Sequence, residues 1–209
     1  MPSRIMAILT TASLIGFLVL VLLLGRLSAF DDAGLRAFAA WRTPALTRMM
    51  QGVSWLGSGA AEFPFAFGVT GLLLWRGGKR QGAEYFGWAL AGWICYAILK
   101  VFFHRHRPDL VERLSGAGWY SFPSGHAMLA PIIYVFAAVM LEQQIASRNY
   151  QRVMIAAGWL LALLIAFSRV YLGVHYPTDV LAGLLAGSGW LGVSLLVIRR
   201  RELRQPVSK

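Results

Sequence analysis

Three short stretches hold most of the side chains that could do polar chemistry in an otherwise apolar chain. "KVFFHRHRP" runs from Lys100 to Pro108, "SFPSGHAML" from Ser121 to Leu129, and "SRVYLGVHYPTD" from Ser168 to Asp179. In the first, Lys100 and Arg107 are seven residues apart, which on a helix of 3.6 residues per turn puts them on nearly the same face. Pro108 then stops that helix. Two cations stacked on one face repel unless an anion lies between them, so the pair points to a bound phosphate. The alternative is that both snorkel to a membrane surface.

In the second stretch Ser124 is placed to cap a helix start, leaving the backbone N–H groups of Gly125 and His126 free at the positive end. Such an end is an anion site. Gly125 allows close backbone approach, and His126 supplies a proton donor within the same turn. A simple capped helix start is the plainer reading. In the third stretch Arg169 closes an apolar run, while His175 and Asp179 lie four residues apart around Pro177, which suits the first turn of a helix. A carboxylate one turn on can hold an imidazole in one tautomer and leave its other nitrogen free to attack. Alternatively, Asp179 only complements the helix dipole.

The elements that must position these groups are membrane helices. Of the 209 residues 57% are hydrophobic, and a mean hydropathy of +0.59 is too high for an ordinary soluble domain of this length. Crossing a bilayer takes about 20 apolar residues. Six runs approach that length, near Ile5 to Leu24, Ala60 to Trp75, Tyr85 to Phe103, His126 to Leu141, Val153 to Leu172 and Thr178 to Ile198. Runs such as "LVLVLLL" and "WLLALLIAF" do not alternate as barrel strands would. The fold class is therefore all-α, a polytopic six-span helix bundle, and six alternating spans bring all three polar stretches to one membrane face.

Arg4 and the apolar run after it could also be a signal peptide, but about 20 apolar residues exceed the usual ~7 to 15, and Leu27 spoils the small-residue pattern of a cleavage site. The run is expected to stay as an anchor. Between the first two runs, "DDAGLRAFAAWRTPALTRMM" reads as one or two short interfacial helices, with Asp31 or Asp32 capping the start and Pro44 breaking it. It either admits lipid sideways or simply covers the bundle. No repeat or long linker divides the chain, so residues 1–209 form one domain.

The net charge of +11 excludes little by itself. No basic and aromatic stripe suited to nucleic acid appears, and the basic residues lie in the loops. About 11 of the 20 Lys and Arg fall on the side of both termini, including Arg76, Lys79, Arg80, the tail "RRRELR" and Lys209. Both termini are expected to be cytoplasmic and the polar stretches to face outward. The tail also suits anionic lipid headgroups. The lone Cys95 permits no intramolecular disulfide.

Taken together, the three stretches resemble the type 2 phosphatidic acid phosphatase superfamily, whose signature reads K-(x)6-R-P, P-S-G-H and S-R-(x)5-H-(x)3-D. Every fixed letter is present in order between Lys100 and Asp179; the first half resembles the family in layout only. The resemblance implies that His175 is the nucleophile, forming a phosphohistidine, and that Asp179 orients it. By the same resemblance His126 protonates the leaving oxygen and then helps activate water, while Lys100, Arg107, Ser124, the Gly125 amide and Arg169 hold the phosphate. No cofactor is implied, and Asp109 and Glu112 lack the partner spacing of metal ligands. His104 and His106 fall outside the fixed letters and are expected to shape the entrance.

The expected substrate is a membrane lipid phosphate. The chain resembles the compact bacterial members acting on undecaprenyl pyrophosphate or phosphatidylglycerol phosphate, which implies the bacterial inner (plasma) membrane. Undecaprenyl pyrophosphate is preferred because its recycling occurs on the outer face. Soluble vanadate-dependent relatives do not fit six spans. A transporter would carry its ionisable residues near the bilayer midplane rather than at span ends. A lipid-binding scaffold with a dead site does not fit the intact His126, His175 and Asp179.

Overall fold

A computed structural model describes residues 3–76 and 78–204, so Lys209 of the basic tail lies outside the described residues. Among these residues the regular structure is entirely helical. Helix α1 spans Ser3–Leu23, α2 Ser28–Ala40, α3 Pro44–Leu56, α4 Gly59–Arg76 and α5 Gly78–Phe103. After a long loop, α6 (Gly125–Ala130) passes through a π-helical turn at Pro131–Val135 into α7 (Phe136–Glu142). Helices α8 (Arg148–Tyr171) and α9 (Pro177–Arg204) complete the chain.

Five stretches are long and apolar enough to cross a membrane: Arg4–Arg26, Gly78–Phe103, Gly125–Glu142, Arg148–Tyr171 and Pro177–Leu203. The sequence reading counts six. The stretch that falls short is α4, an 18-residue helix in which Glu62 and Arg76 dilute the apolar composition and Pro64 interrupts it. It still packs lengthwise on α5.

Small residues set the packing. Gly16, Gly189 and Gly192 let α1 lie antiparallel along α9, with Leu185, Leu14 and Thr10 filling the space a Cβ would take. Gly183 does the same where α9 crosses α6: a Cβ there would stand 2.6 Å from the Ser124 carbonyl oxygen. The core lies around α6 and α7, where Met128, Ile132, Val135 and Phe136 are all but fully buried. One central helix is thus wrapped by the others, and its N-terminus is held against the start of α9.

The segment between the first two apolar runs is two helices, α2 and α3. Pro44 starts α3 at its first position, and the Thr43 hydroxyl caps it by accepting from the Leu46 N–H at 3.2 Å. Asp31 does not cap α2, as the sequence suggested. It sits one turn inside the helix, fully buried, where partners from distant segments claim its carboxylate. Both helices pack on α8, where the Tyr171 hydroxyl meets Thr47 Oγ1 at 3.0 Å and accepts from the Thr43 N–H at 3.3 Å.

Candidate active site

Helix α8 ends in a turn that delivers the first site residue. Gly173 adopts φ +71°, the left-handed conformation that a non-glycine residue resists. The chain then doubles back, and the N–H groups of Val174 and His175 donate to the Arg169 carbonyl at 3.2 and 3.3 Å. His175 is thereby tucked under the end of α8, with only 2% of its surface exposed. Pro177 starts α9, and Asp179 in its first turn accepts from the Tyr176 N–H at 2.9 Å, half of a capping box.

His175 Nδ1 faces Asp179 Oδ2 at 3.4 Å, long for a hydrogen bond, and Ser121 Oγ at the same distance. Asp179 is held more firmly by others. Ser121 donates to Oδ2 in a short hydrogen bond, and Arg105 Nη1 donates to Oδ1 at 2.6 Å. On the far side of the ring, Arg107 Nη1 lies 3.1 Å from His175 Nε2 and donates to the Val174 carbonyl at 2.7 Å. Burial pushes the His175 imidazole well below its usual range, and the charges of Arg107, Arg169 and Lys100 push the same way. The imidazole is neutral at neutral pH.

The cations reach this ring differently from the sequence expectation. Helix α5 ends at Phe103, and His104 turns the chain with φ 46°, so Lys100 and Arg107 do not share a helical face. The helix stops ahead of Pro108 because the residues between must serve separate partners. Lys100, 1% exposed, donates Nζ to the carbonyls of Pro123 at 3.2 Å and Ser121 at 3.5 Å. Arg107 arrives on the loop, with its remaining donors on the carbonyls of Trp119 and Gly118. Burial lowers the pKa of its guanidinium.

Ser124 stands at the start of α6 without making the expected side-chain cap. Its hydroxyl is buried without a partner, as is Arg169 Nε. Buried orphan polar atoms cost stability unless a partner binds; Glu62 Oε1 and Gln81 Oε1 are also without partners, so the Ser124 and Arg169 atoms gain meaning from the cations and imidazoles gathered at the same end of the bundle. The second face of Arg169 is fixed by a short hydrogen bond from Nη1 to Ser54 Oγ. Gly125 packs on the Tyr96 ring, which a Cβ would meet at 2.6 Å. The His126 ring lies against Gly57 and within the field of Arg169, His175, Lys100 and Arg107.

The structure therefore brings Lys100, Arg107, Ser124, Gly125, His126, Arg169, His175 and Asp179 to one end of the bundle. His104, exposed, packs on Tyr120, and His106 is exposed. Among the described residues no group of three or more His, Cys, Asp or Glu side chains is gathered as a metal site. The sequence reading missed Ser54, Asp31, Arg105 and Ser121. The last two lie inside the polar stretches, and their neighbours were the only available signal. Ser54 and Asp31 reach the site only through partners distant in the chain: Arg169, 115 residues from Ser54, and Arg105 and Thr178, 74 and 147 residues from Asp31.

The sequence profile of the PAP2 superfamily matches residues 83–203, more than half of the chain. Phosphatidylglycerophosphatase B of Bacillus subtilis is 31% identical over 159 residues, 75% of this chain and 77% of that protein. An undecaprenyl-diphosphatase of Sulfolobus acidocaldarius is 42% identical over 72 residues, 34% of this chain and 30% of that protein. The crystal structure of a transmembrane PAP2 type phosphatidylglycerolphosphate phosphatase from Bacillus subtilis superposes with a TM-score of 0.85 at 26% identity, covering 94% of this chain and 98% of that one.

Proposed function

The chain belongs to the PAP2 superfamily and is a membrane phosphatase, and we propose that it removes the terminal phosphate of a lipid phosphate through a phosphohistidine on His175. The lone pair of His175 Nε2 attacks phosphorus, the bond from phosphorus to the lipid oxygen breaks, and His126 gives that oxygen its proton. Water then attacks the phosphohistidine, His126 takes a proton from the water, and inorganic phosphate leaves with His175 neutral again. Asp179 accepts a hydrogen bond from the Nδ1–H and so fixes the tautomer. Lys100, Arg107, Arg169, the Ser124 hydroxyl and the Gly125 N–H hold the oxygens whose charge grows in the transition state.

The observation that carries this reading is a neutral, buried imidazole beside partnerless donors on Ser124 and Arg169. In the resting site Arg107 covers Nε2. A bound phosphate draws that guanidinium onto its own oxygens and uncovers the nucleophile. The test is phosphate release from a panel of lipid phosphates in detergent with EDTA, wild type against His175→Ala. Release that survives EDTA and vanishes in the variant is the expected result. Undiminished release by His175→Ala would overturn the mechanism.

Among lipids, phosphatidylglycerol phosphate is the favoured substrate. The relative and the solved structure that align along most of both chains carry that name, whereas the undecaprenyl-diphosphatase likeness covers about a third. Undecaprenyl pyrophosphate, the preference from sequence, is the second member of the panel. For the tail we propose a groove of about 690 Å³ between α4, α7 and α8, walled by Trp55, Leu56, Pro64, Phe65, Met154 and Leu161. It begins at Leu56, one residue before the glycine on which His126 packs.

We read α4 as a sixth span, supported by its packing along α5 and by its antiparallel course. Both termini then lie on the cytoplasmic side with the basic loops, and the site opens at the outer face.

A further inference from the structure

We infer that Arg105 and Asp31 are positioning residues for the nucleophile, Arg105 forking between Asp179 and Asp31 so that the docking of α2 holds the carboxylate that orients His175. Arg105 Nη1 donates to Asp179 Oδ1 at 2.6 Å and to Thr178 Oγ1 at 2.8 Å, while Nη2 donates to Asp31 Oδ2 at 2.6 Å. Asp31 in turn accepts from the Thr178 N–H at 2.9 Å and the Thr178 hydroxyl at 2.7 Å. A residue of α2 thus occupies the N-terminus of α9 immediately before Asp179. The guanidinium is also stacked over the Tyr176 ring, 4.0 Å from its centroid.

Both carboxylates are fully buried, and Arg105 provides the ion pair that each of them makes across the protein. Two buried like charges cannot both stay ionised without the cation between them. If Arg105 were lost, Asp179 Oδ1 would lose its donor, and the carboxylate would be held through Oδ2 alone, by Ser121 and the Tyr176 N–H, with more freedom to swing. The contact that suffers first is the weakest, the 3.4 Å approach of Asp179 to His175 Nδ1. A lysine cannot replace the fork, because a single ammonium does not span two carboxylates in a fixed plane. Asp31 lies outside residues 83–203, the part of the chain that matches the family profile.

This inference rests on the phosphohistidine reading, so the experiment separates the two. Full-length wild type, His175→Ala, Arg105→Lys and Asp31→Asn are compared in detergent on phosphatidylglycerol phosphate, with kcat and KM determined separately and folding checked by thermal unfolding. A positioning role lowers kcat and kcat/KM together at unchanged KM, by about 10- to 100-fold, as for supporting groups around other reactive centres. Wild-type kcat in a folded Arg105→Lys protein, with His175→Ala inactive, overturns the inference and leaves the mechanism standing. An active His175→Ala overturns both. Should Arg105→Lys not fold, Asp31→Asn carries the test alone, since it keeps the shape and removes the charge; wild-type kcat in that variant overturns the inference.

Discussion

At the scale of single residues, the site combines groups already satisfied with groups kept waiting. The Ser124 hydroxyl is buried with no protein partner, so Ser124→Ala removes no protein hydrogen bond from the resting site and relieves the cost of an orphan, about 1 to 3 kcal/mol, less the cost of the small void it leaves. The melting temperature is expected to hold or rise slightly while kcat/KM falls by about 100-fold, the usual effect of deleting one donor to a developing charge. A matching loss in both measurements would mean that the hydroxyl is structural. An unperturbed histidine titrates near 6.5, and burial, with Arg107, Arg169 and Lys100, takes His175 well below that. Between the lowered value and about 6.5 the imidazole stays neutral and nucleophilic, so kcat/KM should hold as the pH falls through about 6.5 and decline only below the lowered value. Arg107→Gln removes one of the cations and should move the acid limb up towards about 6.5; a pH profile of both proteins checks this. The fixed letters of the polar stretches were legible because their identities carry the chemistry. Arg105 and Asp31 were not, because an ion pair between positions 74 residues apart has no local pattern.

At the scale of elements, the helix ends at the site, that of α5 aside, were legible from apolar runs, whereas the far ends of α5, α8 and α9 run on to Gly78, Arg148 and Arg204, past the expected Tyr85, Val153 and Ile198; Pro44 and Pro177 start helices as their fixed φ favours. What sequence could not give was the early end of α5, since the apolar periodicity and Pro108 both allowed the helix to run on. Helices α2 and α3 are the least expected elements in their consequences. Tyr171, fully buried at the end of α8, bonds through its hydroxyl to Thr47 and Thr43. Tyr171→Phe should cost about 1 to 2 kcal/mol by thermal unfolding, the range for a lost internal hydrogen bond that leaves a partner unsatisfied. The groove offers a test of a different kind. Ala157 lines it from the exposed side of α8, so Ala157→Trp fills space without entering the core. KM for long-chain lipid phosphates should rise several-fold, and hydrolysis of a short soluble phosphate ester should be unchanged.

At the scale of the whole molecule, the polar groups collect at one end of the bundle, which on the six-span reading faces outward. A cysteine at Ser115, in a Cys95→Ala background, is expected to react with an impermeant thiol reagent in intact cells; labelling only after lysis would turn the protein over. One helix that walls the groove, α4, is much shorter than its neighbour α5. Helix α4 has 18 residues and α5 has 26, about 27 and 39 Å at 1.5 Å per residue. On the six-span reading, α4 is some 3 Å short of a hydrocarbon layer of about 30 Å. Lipid beside it must thin to match, which brings headgroups down towards His126 on the one flank where a substrate tail can settle. The thickness of the host bilayer then becomes a property of the enzyme: turnover in vesicles should peak with acyl chains short enough to fit α4 and fall as the chains lengthen, with no change in the protein.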